Sequence, residues 1–416
     1  MGDEFRIGLS ENLQTGPKVA YGDGIYFVLW TENGAYIKGA RVTPQGVLLD
    51  MEPISVDTGG LYAVCYGDSL FLVVIAKKHK TMGLWFTSEG KKLSNETIID
   101  TTIGPAACTF DGENFVVCWI CKRGSGDELR VVKVSPEGKV LGEPKVLVRT
   151  GYILCGPAIV CVNERYFIVY GIEGYYESNL YGIELNEQLE KIKSFAIADD
   201  PSISEGTMEG EYSVKGNNTF CVSYATLAQS IVAKIYSNEG NFITKILLTD
   251  EIGLSPPCAF NGNNYMIIWS GHAVIIDETG TRIAEIEIPI RYGYQISGSQ
   301  GQFLIVYTRR ISSDWQSSRI FGRIVWDVEA CREHFVAYPN PCRDFINLQL
   351  IAVGDEEVDV RVYDVMGRLR IKEVLQLNGF GTQTFKIDLS ELPQGIYFLR
   401  VERGDKFFKN KIIKVR

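Results

Sequence analysis

A chain of 416 residues that is 45% hydrophobic and 22% charged has the composition of a folded globular protein, which excludes intrinsic disorder. Its net charge of −9 excludes a surface basic enough for sequence-independent binding to nucleic acid or to an anionic membrane. The length exceeds one ordinary core and asks for two domains, and no apolar run approaches the roughly 18 residues of a membrane-spanning helix, so no transmembrane segment is expected.

In chain order, Met1-Gly-Asp-Glu-Phe5 has neither a basic nor an apolar signal region, so no signal peptide is read there. Phe5-Arg-Ile-Gly-Leu9 alternates like a short strand. Tyr21-Gly-Asp-Gly-Ile-Tyr-Phe-Val-Leu-Trp30 then opens a series, with Phe110-Asp-Gly-Glu-Asn-Phe-Val-Val-Cys-Trp119 and Phe260-Asn-Gly-Asn-Asn-Tyr-Met-Ile-Ile-Trp269 as its clearest copies. Weaker copies end at Ile75, Tyr170, Tyr224 and Tyr307. The seven anchors stand 45, 44, 51, 54, 45 and 38 residues apart, the period of a four-stranded propeller blade. A second turn recurs between them, as in Thr43-Pro-Gln-Gly46, Ser135-Pro-Glu-Gly138 and Asp277-Glu-Thr-Gly280.

Each repeat therefore reads as strand A (Lys18 to Tyr21), strand B (Ile25 to Trp30), strand C (Tyr36 to Val42) and strand D (Val47 to Val56). The last repeat supplies strand C, Arg319 to Trp326, but no strand D; the N-terminal strand is free to complete it and close the ring, which removes exposed sheet edges. The expected fold is all-β: a seven-bladed β-propeller over residues 1–328, with six or eight blades as alternatives, a linker over 329–337, and a small antiparallel β-sandwich over 338–416. The repeats resemble the degenerate propeller repeats of secreted bacterial proteins. That resemblance implies a fold and no chemistry.

Beyond Val328 the pattern changes to alternating strands punctuated by short motifs: Tyr338-Pro339-Asn340-Pro341, Ile346 to Leu350, Val358 to Tyr363, Asp364-Val-Met-Gly367-Arg368, Ile387-Asp-Leu-Ser390, Leu392-Pro393-Gln-Gly395-Ile-Tyr397-Phe398 and Lys411 to Lys414. This ordered set resembles the type A C-terminal sorting domain of the type IX secretion system. The resemblance implies a β-sandwich that directs export, with the secretion machinery as its partner and a secreted or cell-surface location.

Of the ten cysteines, Cys65, Cys108, Cys161, Cys221 and Cys258 lie in strand-like runs and read as small buried hydrophobes. Cys118 and Cys121 form a C-x-x-C, but residues three apart on a strand face opposite ways, so neither zinc binding nor redox use is expected. Cys331 and Cys342 flank the linker and are the candidate loop disulfide. The three histidines fall in separate segments, there is no G-x-S-x-G, H-E-x-x-H, P-loop or EF-hand loop, and no metal site or cofactor is expected.

In a propeller the A-to-B and C-to-D turns share one face, here the repetitive one. The B-to-C and D-to-A connections share the other, where variation suits recognition. The B-to-C connections Cys121 to Glu128, Gly171 to Asn179 and Thr308 to Ser318 read as long loops. Tyr175, Tyr176, Tyr292, Tyr294 and Trp315, with Arg309 and Arg310, are the candidate ligand-binding residues, an aromatic floor of the kind glycan or peptide sites use. The acidic stretch with Asp199, Asp200, Glu205 and Glu209 reads as solvated surface. The expected function is a non-catalytic, exported binding module for glycan or protein. A propeller enzyme acting on polysaccharide (glycoside hydrolase or lyase) and a structural surface component are the alternatives.

Overall fold

The structure, a computed structural model, describes residues 2–123, 126–173, 178–198, 213–226, 230–249, 256–288, 293–326, 335–353, 355–378, 380–404 and 406–415. The chain divides into a compact unit of residues 3–324 and a second unit containing residues 325–416.

The described residues of the first unit form seven four-stranded antiparallel sheets. Six are simple meanders. The seventh recruits the start of the chain, running Phe5–Arg6, Ser318–Trp326, Gln302–Arg310 and Tyr294–Ser299. Phe5 stands opposite Gly322 and Arg6 opposite Phe321, and the amides of Ile7 and Gly8 both donate to Ile320 O. The inner strands of successive sheets touch one another around a closed cycle, the last against the first. This is a β-propeller.

Its second strands carry the seven anchors. They run Ile25–Glu32, Leu70–Lys77, Phe115–Arg123, Arg165–Glu173, Thr219–Ala225, Tyr265–Trp269 and Gln302–Arg310. Sheets lie on both sides of them, so these strands are apolar without alternation: every residue from Phe115 to Cys121 is fully buried, Trp119 among them. Cys118 and Cys121 fall in different core clusters, on opposite faces of their strand. Outer strands, such as Arg282–Glu287, are largely exposed.

Four residues before each anchor stands a buried aromatic: Tyr26, Phe71, Phe115, Tyr166, Phe220, Tyr265 and Phe303. Where it is tyrosine, its hydroxyl reaches back to the preceding sheet. Tyr26 Oη meets Ser299 Oγ at 2.6 Å, Tyr166 Oη donates to Asp111 Oδ2 at 2.7 Å, and Tyr265 Oη meets Thr219 Oγ1 at 2.7 Å. The first of these joins the first sheet to the seventh. Buried Gln14 does the same: its Oε1 accepts Ile320 N at 3.0 Å, and its Nε2 donates to Ser10 Oγ at 3.0 Å.

Three expectations are corrected. The outer strand of the first sheet is Ile54–Thr58, not Val47 to Val56, because the Asp50 carboxylate takes Arg41 N at 2.7 Å, where a ladder carbonyl would stand, and Pro53 has no donor to offer. The three long loops are shorter than read, since their hairpin strands extend to Arg123, Glu173 and Arg310 and resume at Gly126, Ser178 and Ser318. The last three residues assigned to the linker, 335–337, already belong to the strand Phe335–Tyr338, whose Phe335 and Ala337 pack on the core of the second unit.

The second unit has two sheets. One orders Phe335–Tyr338, Phe345–Val353 and Phe380–Asp388; the other orders Leu369–Leu377, Glu356–Asp364, Gly395–Arg403 and Lys406–Lys414. Alternation is clean here. Val358, Val360 and Val362 enter the core with Ile346, Leu348, Leu399 and Val401, while Asp359 and Arg361 face outward and pair at 2.8 Å.

Candidate functional site

The inner strands are edges, and prolines stand where a ladder donor would otherwise be exposed: Pro17 and Pro157 within two of these strands and Pro105 just before a third, each after a glycine. These three prolines border a central cavity of about 290 Å³, lined from the first, second, third, fourth and seventh sheets. Tyr294 lines it too, with its hydroxyl accepting Ser270 N at 2.9 Å.

A larger groove of about 480 Å³ opens between the second and third sheets, on the face of the B-to-C and D-to-A connections. Tyr62 and Pro105 border both spaces. One wall is the connection Thr101-Thr-Ile-Gly-Pro105, which the Asp100 carboxylate shapes by accepting Thr101 N at 2.6 Å and Thr102 Oγ1 at 2.9 Å. Asp100 is itself held by Trp119 Nε1 at 3.1 Å and an Arg130 guanidinium nitrogen at 3.0 Å, so the third anchor tryptophan fixes this wall. Gly104 is obligatory, because a Cβ there would lie 1.6 Å from Ile120 O.

The opposite wall is the hairpin turn Lys77-Lys-His-Lys80, which places His79 on the groove. Lys122, three residues beyond Trp119, closes the end. Tyr62 supplies an aromatic surface, and burial raises the pKa of its hydroxyl, which stays a neutral donor at neutral pH. The arrangement offers a ring to stack on, hydroxyls and two nitrogen-bearing side chains, and the carboxylate beside Lys77 is already engaged. Asp57 is bound by Lys77 at 2.5 Å and Lys92 at 3.1 Å; burial works to raise its pKa, but bonds from Lys77, Thr58 N and Lys92 outweigh it and hold the group below the ordinary range.

Of the residues singled out in the sequence, Tyr175, Tyr176 and Tyr292 lie outside the described residues, as do Cys331 and the acidic stretch from Asp199 to Glu209. Trp315 belongs to a short 3-10 turn, Trp315–Ser317. Arg309 pairs with Glu4 and stacks 5.2 Å over Phe321, while Arg310 is exposed. The described part of the set, Tyr294 and the two arginines, does not converge on the groove. Cys342 is a buried free thiol, 3.6 Å from Ile413 O. Sequence reasoning passed over Tyr62, His79 and Lys122. The available signal was the Lys-His pair at a turn where the first sheet has Asn33-Gly34.

The motifs of the second unit have local physical reasons. Asn340 clamps the last strand, donating to Lys411 O at 2.7 Å and accepting Ile413 N at 2.9 Å. Gly367 adopts φ +75° in a turn whose Asp364 accepts the Met366 and Arg368 amides. Tyr397 donates to Pro393 O at 2.7 Å, which folds the Leu392-Pro-Gln-Gly395 turn over the core. Residues 336–415, which contain all three arrangements, match the family described as the secretion system C-terminal sorting domain. The second unit is a sorting domain. A sorting domain of this family implies interaction with the type IX secretion system and export of the protein to the cell surface or beyond it.

No curated protein matches the chain. Among solved structures, hydrazine synthase of Kuenenia stuttgartiensis is similar with a TM-score of 0.54 at 9% identity, covering 77% of this chain and 98% of that one; the likeness shows the fold alone. A neuraminidase-like protein of an A/flat-faced bat/Peru strain (10% identity, 77% of this chain and 89% of that one) and Hsv2 of Kluyveromyces lactis (9% identity, 87% and 99%) reach TM-scores of 0.45 and carry no argument.

Proposed function

We propose that this protein is an exported β-propeller that holds a glycan or protein ligand on its connection face and performs no chemistry on it. The observation that carries this reading is the groove of about 480 Å³ beside the inner cavity, walled by Tyr62, Thr101, His79 and Lys122 and joined to a domain that sends the chain out of the cell. Pockets of this size with an aromatic surface and a few placed polar groups are the usual form of a binding site. Among the described residues, three propeller carboxylates are held in a state that suits a structural role better than acid catalysis. A general acid needs a raised pKa, whereas Asp57, Asp111 and Glu32 are lowered: in each, burial pushes up and hydrogen bonds more than offset it.

The test is the full chain on a glycan array and a panel of cell-surface proteins, with the bound spots analysed for cleavage products. Retention without products, lost on Tyr62→Ala, is the expected outcome. Release of products would replace binding with catalysis, and silence on both panels would leave a structural component as the better reading.

A further inference from the structure

The hairpin that walls the groove is built against conformational preference. Two-residue hairpin turns that place both central residues at positive φ favour Asn-Gly, and the equivalent turn of the first sheet has that pair, Asn33 at φ 50° and Gly34 at φ 70°. In the second sheet the same geometry is occupied by Lys78 at φ 49° and His79 at φ 61°. Neither side chain relieves the strain of the left-handed region as Gly does, and such strain is retained where the surroundings use it. Both side chains are exposed, and His79 lines the groove.

The second observation is charge. In a chain of net −9, the turn Lys77-Lys-His-Lys80 and Lys122 bring cationic side chains to one end of one face. The acids around them have partners of their own: Asp57 holds Lys77 and Lys92, Asp100 holds Arg130, Trp119 and Thr102, and Asp127, opposite Lys122 in the ladder, accepts Leu154 N. The groove is far larger than an inorganic anion needs, and Tyr62 gives it an apolar ring surface. We propose that the groove is a subsite for an acidic saccharide, with Lys122 and His79 holding the carboxylate or sulfate and Tyr62 packing against the sugar ring. The inference rests on the ligand-binding reading above and gives it a substrate class.

The full chain is titrated calorimetrically with an oligogalacturonate, a sulfated galactan oligosaccharide and a neutral galacto-oligosaccharide of equal length. An acidic sugar binds at least tenfold more tightly than the neutral one, and comparison of the first two tells carboxylate from sulfate. Lys122→Gln weakens that binding about tenfold with an unchanged Tm. Lys78→Asn with His79→Gly, which installs the turn of the first sheet, raises the Tm and still weakens binding; a merely structural turn could not move the two readouts in those directions. Equal affinity for the neutral sugar, or acidic binding indifferent to these variants, overturns the charge assignment while the ligand-binding reading stands. No binding of any of the three sugars also overturns it, and the protein panel then decides the broader reading.

Discussion

The two units bury their strands differently. In the propeller, Phe115 to Cys121 is covered on both faces without a break, whereas in the sorting domain Val358, Val360 and Val362 go in and Asp359 and Arg361 stay out. Apolar contact on both sides is strong but non-directional, so it cannot by itself set how one sheet stands against the next. The propeller adds directional links at those interfaces: tyrosine hydroxyls to the preceding sheet, Gln14 across the closure, and Asp100 between Trp119 and Arg130. A sandwich whose pattern already distinguishes inside from outside needs fewer of them.

That contrast can be broken or sharpened by unfolding. Five of the six tryptophans lie within residues 3–324 and the sixth, Trp326, ends the propeller strand Ser318–Trp326, so tryptophan fluorescence follows the propeller. Trp119→Ala removes a fully buried indole and the donor to Asp100, and should cost about 4 kcal/mol, read as a lower denaturant midpoint in that signal. Leu399→Ala should cost about 3 kcal/mol in the sorting domain alone, seen as faster hydrogen exchange over Glu356–Asp364 with the tryptophan midpoint unmoved; a shifted midpoint would mean the units unfold as one.

Gln14→Ala strips a partner from the buried Ile320 amide and should lower the propeller midpoint by about 2 kcal/mol. Tyr26→Phe keeps the ring and deletes the hydroxyl's bonds to Ser299 and Gln302 of the seventh sheet, for about 1 kcal/mol; no loss there would show that the hydroxyl links are ornament to the packing. The smallest effect concerns pH. Burial alone would raise the Asp364 pKa, but bonds from Arg368, Arg370 and Met366 N lower it to about 2. A lowered carboxylate stabilises the fold above its unfolded value near 3.9 and loses that contribution as pH falls toward the folded one. Protection from exchange at the Asp364–Arg368 turn, taken relative to the intrinsic rate at each pH, should therefore fall between about pH 4 and 2, and Asp364→Asn should abolish that dependence.

Much of the architecture was legible because its signals are local. An anchor such as Trp119, its turn at Asp111-Gly112 and the apolar run between them lie within ten residues, and the sorting motifs are equally compact. The outer strand of the first sheet was misread because Val47, Leu48 and Leu49 look like strand residues, while the side chain of Asp50, a non-backbone competitor, takes the amide of Arg41. The groove was illegible for another reason. Tyr62, His79, Thr101 and Lys122 come from four separate elements of two sheets, and nothing in their immediate neighbours says that they meet. Arg309, expected at a ligand site, is engaged by Glu4 from the other end of the chain, a partner no local pattern could reveal.

The pairing of Phe5–Arg6 with Phe321 and Gly322 also sets an order of events. A ribosome delivers the first of these strands long before its partner exists, so during synthesis the earliest segment of the propeller has no edge to join. Each intermediate length of nascent chain presents an open arc whose last sheet is unfinished, and non-local pairing of this kind is slow and exposed to misassembly. The ring becomes a completed object only when residues near 322 have emerged, and the next part of the chain to appear is the sorting domain.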